Sequence, residues 1–178
     1  MTALIIDSSQ KISLLGTAEG GILTSSKTLE GLSSSLPSAL KDFCELNKLE
    51  VIAVGVGPGS YMGIRTAATI AKTLSFALGI PLIEFPSPLA FLPPGGKDWT
   101  IVGDAKMGEI YSMTGNIEEG LSVPKLVSLE KFTLPMDRVL DLRKELTPYL
   151  DGVAKYVHKQ FIKGNTIELN GLQLQYLR

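Results

Sequence analysis

The 178 residues suit one domain or two small lobes around a continuous core, and a 44% hydrophobic content places them among ordinary globular chains. A net charge of −1 argues against a chain that grips nucleic acid unaided, and no apolar run is long enough to span a membrane. Met1 to Ser9 lack the basic flank and long apolar region of a secretion signal, and the single cysteine, Cys44, cannot form an internal disulfide. A cytoplasmic location without membrane contact is therefore expected.

In chain order, "ALIIDSSQKISLLG" is a β-branched run ending at Asp7, a short turn and an alternating run, the pattern of a hairpin. "GGILTSSKTL" supplies a third antiparallel strand. Leu32, Leu36, Ala39, Phe43 and Leu46 then recur at steps of four and three, the stripe of an amphipathic helix, with Pro37 in its first turn. Val51–Val56 reads as a strand, followed by the glycine turn "GPGS", a long helix and the strand "IPLIEF". That order needs a parallel crossover and so a mixed α/β sheet. The Pro- and Gly-rich "PSPLAFLPPGGKD" marks a boundary, giving a first lobe over 1–99 and a second over 100–178.

The second lobe opens like the first. "TIVGDAKMGEIYSMTG" runs as a strand to Asp104, turns, and returns through Glu109–Met113, 97 positions after the hairpin of Asp7. A repeat of that length suggests a duplicated lobe. Met136–Leu150 and Val153–Phe161 read as helices, the latter capped by Asp151 and ended by Gly164. "TIELNGLQLQYL" alternates around Asn170-Gly171 as a hairpin would. From Gly152 onward four cations face one anion, so this end carries +3 and the remainder −4. A solvated helix face accounts for that excess, although a phosphate backbone would also suit it.

Two features bear on function. The glycine turn has no lysine where a phosphate-binding P-loop needs one, and Gly55, Gly57 and Ser60 match a dinucleotide fingerprint only loosely. A tight strand-to-helix corner is the favoured reading. An anion held by Gly57, Gly59 and Ser60 at the helix start is the alternative. The helix is apolar nearly all round: Ile64, Ala67, Ala68, Ala71, Leu74 and Leu78 line one face. Thr66, Thr69, Ile70, Thr73, Phe76 and Ala77 line the other, and Arg65 and Lys72 are its only charges. Such a helix is buried on two sides, the second of them by another chain or by the rest of this one.

The central stretch "GVGPGSYMGIRTAATIAKTLSFALGIPL" resembles the signature of the TsaB (YeaZ-like) family of tRNA threonylcarbamoyladenosine biosynthesis. Gly57 to Gly59, Ser60, Gly63, Arg65, Ala71, Lys72, Leu74, Gly79 and Pro81 fit it, with Tyr61 and Met62 replacing the usual Phe and Thr. "IIDSS", "DAKMGEIY" (Lys106 where Arg is usual) and the terminal "QYLR" are similar to further family segments. The resemblance implies an actin-like (ASKHA, ribonuclease H-like) α/β fold of two duplicated lobes with mixed sheets, the second shortened here. It implies a non-catalytic scaffold that forms a heterodimer with TsaD, the metal-holding subunit that transfers threonylcarbamoyl to adenosine 37 of tRNAs reading codons that begin with A. The ATPase TsaE joins them and contact with tRNA is indirect; a homodimer of the lone chain through the same helices is a further alternative. ATP and metal are expected on the partner subunits, so no cofactor is expected here.

By the same resemblance the partner face comprises Leu32, Leu36, Ala39, Phe43, Met62, Arg65, Thr66, Ala68, Thr69, Ile70, Ala71, Thr73 and Phe76, packed as half of a four-helix bundle. The catalytic relative carries two metal-binding histidines after its I-P strand, where this chain has Ser87 and Phe91, neither able to replace an imidazole. His158, the sole histidine, lies far along the chain and supports neither a metal site nor a Ser–His–Asp triad. Asp7 and Asp104 are candidates for a vestigial nucleotide site. On that basis an independent small ASKHA-type kinase or ATPase is the alternative function.

Overall fold

The computed structural model describes residues 1–30, 35–128, 130, 132, 137–144 and 147–177. Strand β1 (Thr2–Asp7) explains why its sequence is apolar without a break: alternate side chains serve two different cores. Ala3 and Ile5 point to one side of the sheet, Leu4 and Ile6 to the other. Strand β4 (Val51–Gly55) divides the same way, with Val51 and Ala53 opposite Ile52 and Val54. Around them the first sheet runs β3-β2-β1-β4-β5, where β2 is Ile12–Glu19, β3 is Ile22–Glu30 and β5 is Leu82–Phe85. The first three strands are antiparallel neighbours, while β4 and β5 add in parallel.

One face of this sheet is covered by α1 (Leu36–Lys41) and α2 (Tyr61–Leu78). The other is covered by α3 (Leu150–Ile162) and the 3-10 turn Ser87–Phe91. Packing crosses the line drawn between 1–99 and 100–178. Leu150, Val153, Ala154 and Val157 of α3 share a core with Ala3, Ile5 and Phe85, because the exposed sheet face of the first lobe needs an apolar cover and the second half of the chain returns to provide it.

The second sheet runs β10-β6-β7-β8, with β9 also on β7. Here β6 is Trp99–Lys106, β7 Glu109–Asn116, β8 Gly120–Leu121, β9 Lys125–Ser128 and β10 Val139–Asp141. An antiparallel β6–β7 hairpin carries β10 in parallel on its other side, as β1–β2 carries β4. The repeat inferred from the two Asp-ended strands is thus a repeat of topology. Strands β8 and β9 pair successive parts of one β7 edge, split at Ser122–Pro124, where Pro124 cannot donate to the ladder.

Four local expectations differ from the structure. The helix predicted over Met136–Leu150 contains β10 instead, because pairing with β6 buries Leu140; Met136 itself lies outside the described residues. The hairpin predicted at Asn170-Gly171 is a 3-10 turn, Leu169–Gly171. Its flanks give their backbone bonds to the first sheet: Ile167 bridges Leu82, and the Gln175 N–H donates to the Val56 carbonyl at 2.8 Å. The stripe from Leu32 to Leu46 is not one helix: α1 holds six residues, and a 3-10 turn follows at Leu46–Lys48. Asp151 sits in the first turn of α3 rather than capping it, a position that still suits an acid beside the helix N-terminus.

Candidate partner-binding face

The glycine turn between β4 and α2 is packed full of the chain's own atoms. At Gly55 a Cβ would stand 2.5 Å from the Asp7 Oδ1, and at Gly63 it would stand 1.7 Å from the Ser8 carbonyl oxygen. Both glycines are required because the strand end and the helix start dock directly on the β1–β2 turn. The docking is hydrogen-bonded: Ser60 N–H donates to the Ser9 carbonyl at 2.6 Å, and Ser8 Oγ donates to the Gly63 carbonyl at 2.6 Å. Gly57 N–H donates to Ser87 Oγ at 2.9 Å, and Ser60 Oγ caps α2 by accepting from Gly63 N–H at 3.3 Å. The amides of Gly57 and Ser60, which an anion would need, are thus engaged within the chain.

Asp7 belongs to the same cluster. Only 1% exposed, it accepts from Ser9 N–H, Ser9 Oγ and Ser87 Oγ, each at 3.0 Å. Burial raises its pKa to about 6 against the lowering effect of those three bonds. Asp104 repeats the local turn, with Oδ1 accepting from Lys106 N–H at 2.8 Å, but it is solvent-facing and paired with Lys106 Nζ at 2.7 Å. That hydrogen bond holds its pKa below the usual carboxylate value. Between the lobes the buried Tyr111 ring lies against Gly103, where a Cβ would stand 2.1 Å from Cζ. Ser87 and Phe91 are buried in the core, and His158 is half-buried against the Gly20-Gly21 turn.

Helix α2 has two unlike faces. Inward, Gly63, Ile64, Ala67, Ala68, Ala71 and Ser75 press on the sheet. Outward, Met62 is 68% and Phe76 80% exposed, with Tyr61, Arg65, Thr69 and Thr73 exposed beside them and Thr66 half-buried. Thr66 and Thr73 turn their hydroxyls onto the helix's own carbonyls at Met62 and Thr69, leaving methyl groups to the surface. The helix ends at Gly79 in a left-handed conformation, φ 66°. Arg65 donates to the Tyr61 hydroxyl at 2.8 Å, and the Tyr61 ring packs on Tyr176 with centroids 5.1 Å apart.

The expected partner face therefore needs correction. Leu36, Ala68 and Ala71 are buried in the chain's own core, where the small alanines let the helix approach the sheet, so they face no partner. Ala39 and Phe43 are half-buried and pack on that core. Leu32 lies outside the described residues. Met62, Arg65, Thr66, Thr69, Thr73 and Phe76 do share the outer side of α2, whereas Ile70 is half-buried and packs on the core. Sequence reasoning missed Tyr61 and Tyr176; only the terminal "QYLR" hinted that the tail reaches this place.

The family model for TsaD, tRNA N6-adenosine threonylcarbamoyltransferase, matches residues 11–168. The chain belongs to this family, in its TsaB (YeaZ-like) branch. It is 38% identical over 77 residues to the tRNA threonylcarbamoyladenosine biosynthesis protein TsaB of Bacillus subtilis, covering 41% of this chain and 33% of the relative. With the protein of that name from Haemophilus influenzae it shares 34% over 71 residues, covering 37% and 30%. The matched stretches thus span about a third of these curated relatives. Among solved structures, a Pseudomonas aeruginosa protein described as similar to peptidase YEAZ superposes with a TM-score of 0.82 at 21% identity, covering 99% of each chain. YeaZ of the same organism gives 0.81 at 19%, covering 98% of this chain and 100% of that one. The architecture is the actin-like ASKHA fold. Among the described residues, no helix is long and apolar enough to cross a membrane.

Proposed function

We propose that the chain is a non-catalytic pairing subunit of tRNA threonylcarbamoyladenosine formation. It binds a TsaD subunit through the outer face of α2 and supports threonylcarbamoyl transfer to adenosine 37 of tRNA, with TsaE joining the pair. One observation carries this reading: a four-turn stretch of helix presents Met62 and Phe76 to solvent amid threonines, with the cations Arg65 and Lys72 seven residues apart along one flank and no acid on the helix. Large exposed apolar side chains grouped on one element mark protein contacts, and Met, Tyr, Phe and Arg are the residues enriched there.

The absence of catalysis in this subunit is supported by Ser87 and Phe91, which occupy the region of the catalytic relative's metal-binding histidines and are buried in the core. An independent kinase or ATPase finds less support, since the Asp7 oxygens already accept three internal hydrogen bonds. Reconstitution with TsaD, TsaE, ATP, tRNA and a supply of threonylcarbamoyl-adenylate, whose AMP leaves on transfer, tests the reading. Modified tRNA should form only when the chain is present, and light scattering should give the mass of a heterodimer with TsaD. A mixture that stays as separate monomers would refute it.

A further inference from the structure

The outer face of α2 is too small to hold a partner by itself. Its 18 residues make a strip about 27 Å long and ~10 Å wide, roughly 300 Å² in projection. A stable interface covers about 800 Å² on each partner. Helix α1 adds little, being six residues long with Leu36 and Leu40 turned inward.

Next to the start of α2 lies a second surface, part apolar and part polar. A groove of about 430 Å³ runs between Val123, Pro124 and Leu126 of the second lobe and the tail Leu174–Leu177. Val123 is 79% exposed, and Leu126 and Tyr176 are exposed as well. Tyr176, on the groove's wall, is the residue whose ring packs against Tyr61 of α2, so helix face and groove are continuous. Four of the large apolar side chains exposed among the described residues lie along this path: Tyr61, Val123, Leu126 and Tyr176. The groove is also held open. Pro124 breaks the edge strand between β8 and β9, and Gln175 N–H pins the tail to Val56.

We propose that the partner's footprint continues from α2 across Tyr61 and Tyr176 into this groove, where the same subunit seats an apolar side chain. The partner thereby touches both lobes and fixes their relation. This rests on the pairing reading, and the test separates the two. Calorimetric titration of the chain with TsaD should show Val123→Asp and Leu126→Asp each weakening binding at least tenfold, with unfolding midpoints unchanged. Amides of 121–128 and 172–177 should gain protection from hydrogen exchange in the complex. Wild-type affinity and unprotected amides in both variants, beside a Phe76→Asp variant that fails to bind, would overturn the groove and leave the helix face standing. If the substitutions dissolve only a self-dimer, the occupant is a second copy and the proposal falls. Failure of the unaltered chain to bind TsaD overturns both.

Discussion

The two faces of α2 use nearly the same residue types for opposite purposes. Inward, Ala67, Ala68 and Ala71 let the helix lie close on β4, and every side chain there meets its own chain. Outward, Met62 and Phe76 meet nothing comparable. The contrast teaches that apolarity on a helix records contact without saying with whom. Side-chain size separates the cases here: small residues face a sheet already present, and large ones wait for a surface to cover them.

The largest expected effect lies on the inner face. Ala71→Glu places an unpaired carboxylate at a fully buried position and should cost about 4 kcal/mol or more, seen as loss of cooperative thermal unfolding. If this variant folds normally, the inner assignment is wrong.

Asp7 comes next. Its raised pKa means that its contribution to stability is fully present below about pH 4 and is lost as pH rises towards 6. The shift corresponds to about 3 kcal/mol across that window. Denaturant unfolding of Asp7→Asn from pH 4 to pH 7 should lack this decline, since the amide does not ionise. Gly63→Ala sharpens the same region: the added methyl strikes the Ser8 carbonyl, and a loss of about 2 kcal/mol in unfolding free energy, measured by urea denaturation, should follow. Smallest in stability are Met62→Asp and Phe76→Asp, within about 0.5 kcal/mol of the parent because both side chains already face water.

Much of the first lobe was legible. Continuous apolar runs bounded by turns gave β1, β4 and β5, and the strand-to-helix corner with its Ser60 cap followed from local chemistry. The tight approach at Gly55 and Gly63 was not legible, because the atoms that demand glycine belong to Asp7 and Ser8, more than forty residues earlier. Strand β10 was misread as helix because three residues carry too little period to tell the two apart. The tail failed for another reason. Asn170-Gly171 between alternating runs is a sound hairpin signal, yet Ile167 and Gln175 found partners at Leu82 and Val56 on the first sheet. Of the candidate site, the helix was visible and so was its inner face of Ile64, Ala67, Ala68 and Ala71, but the placing of Ala68 and Ala71 on the partner side as well was wrong. Which apolar side faces the sheet depends on where β4 and β5 lie.

The most direct measurement pairs stability with association in one substitution. Phe76→Asp should leave the thermal midpoint within a degree or two of the parent and remove the heterodimer with TsaD in light scattering. A variant that keeps both its stability and its partner would show that the outer face of α2 is not where this chain is held.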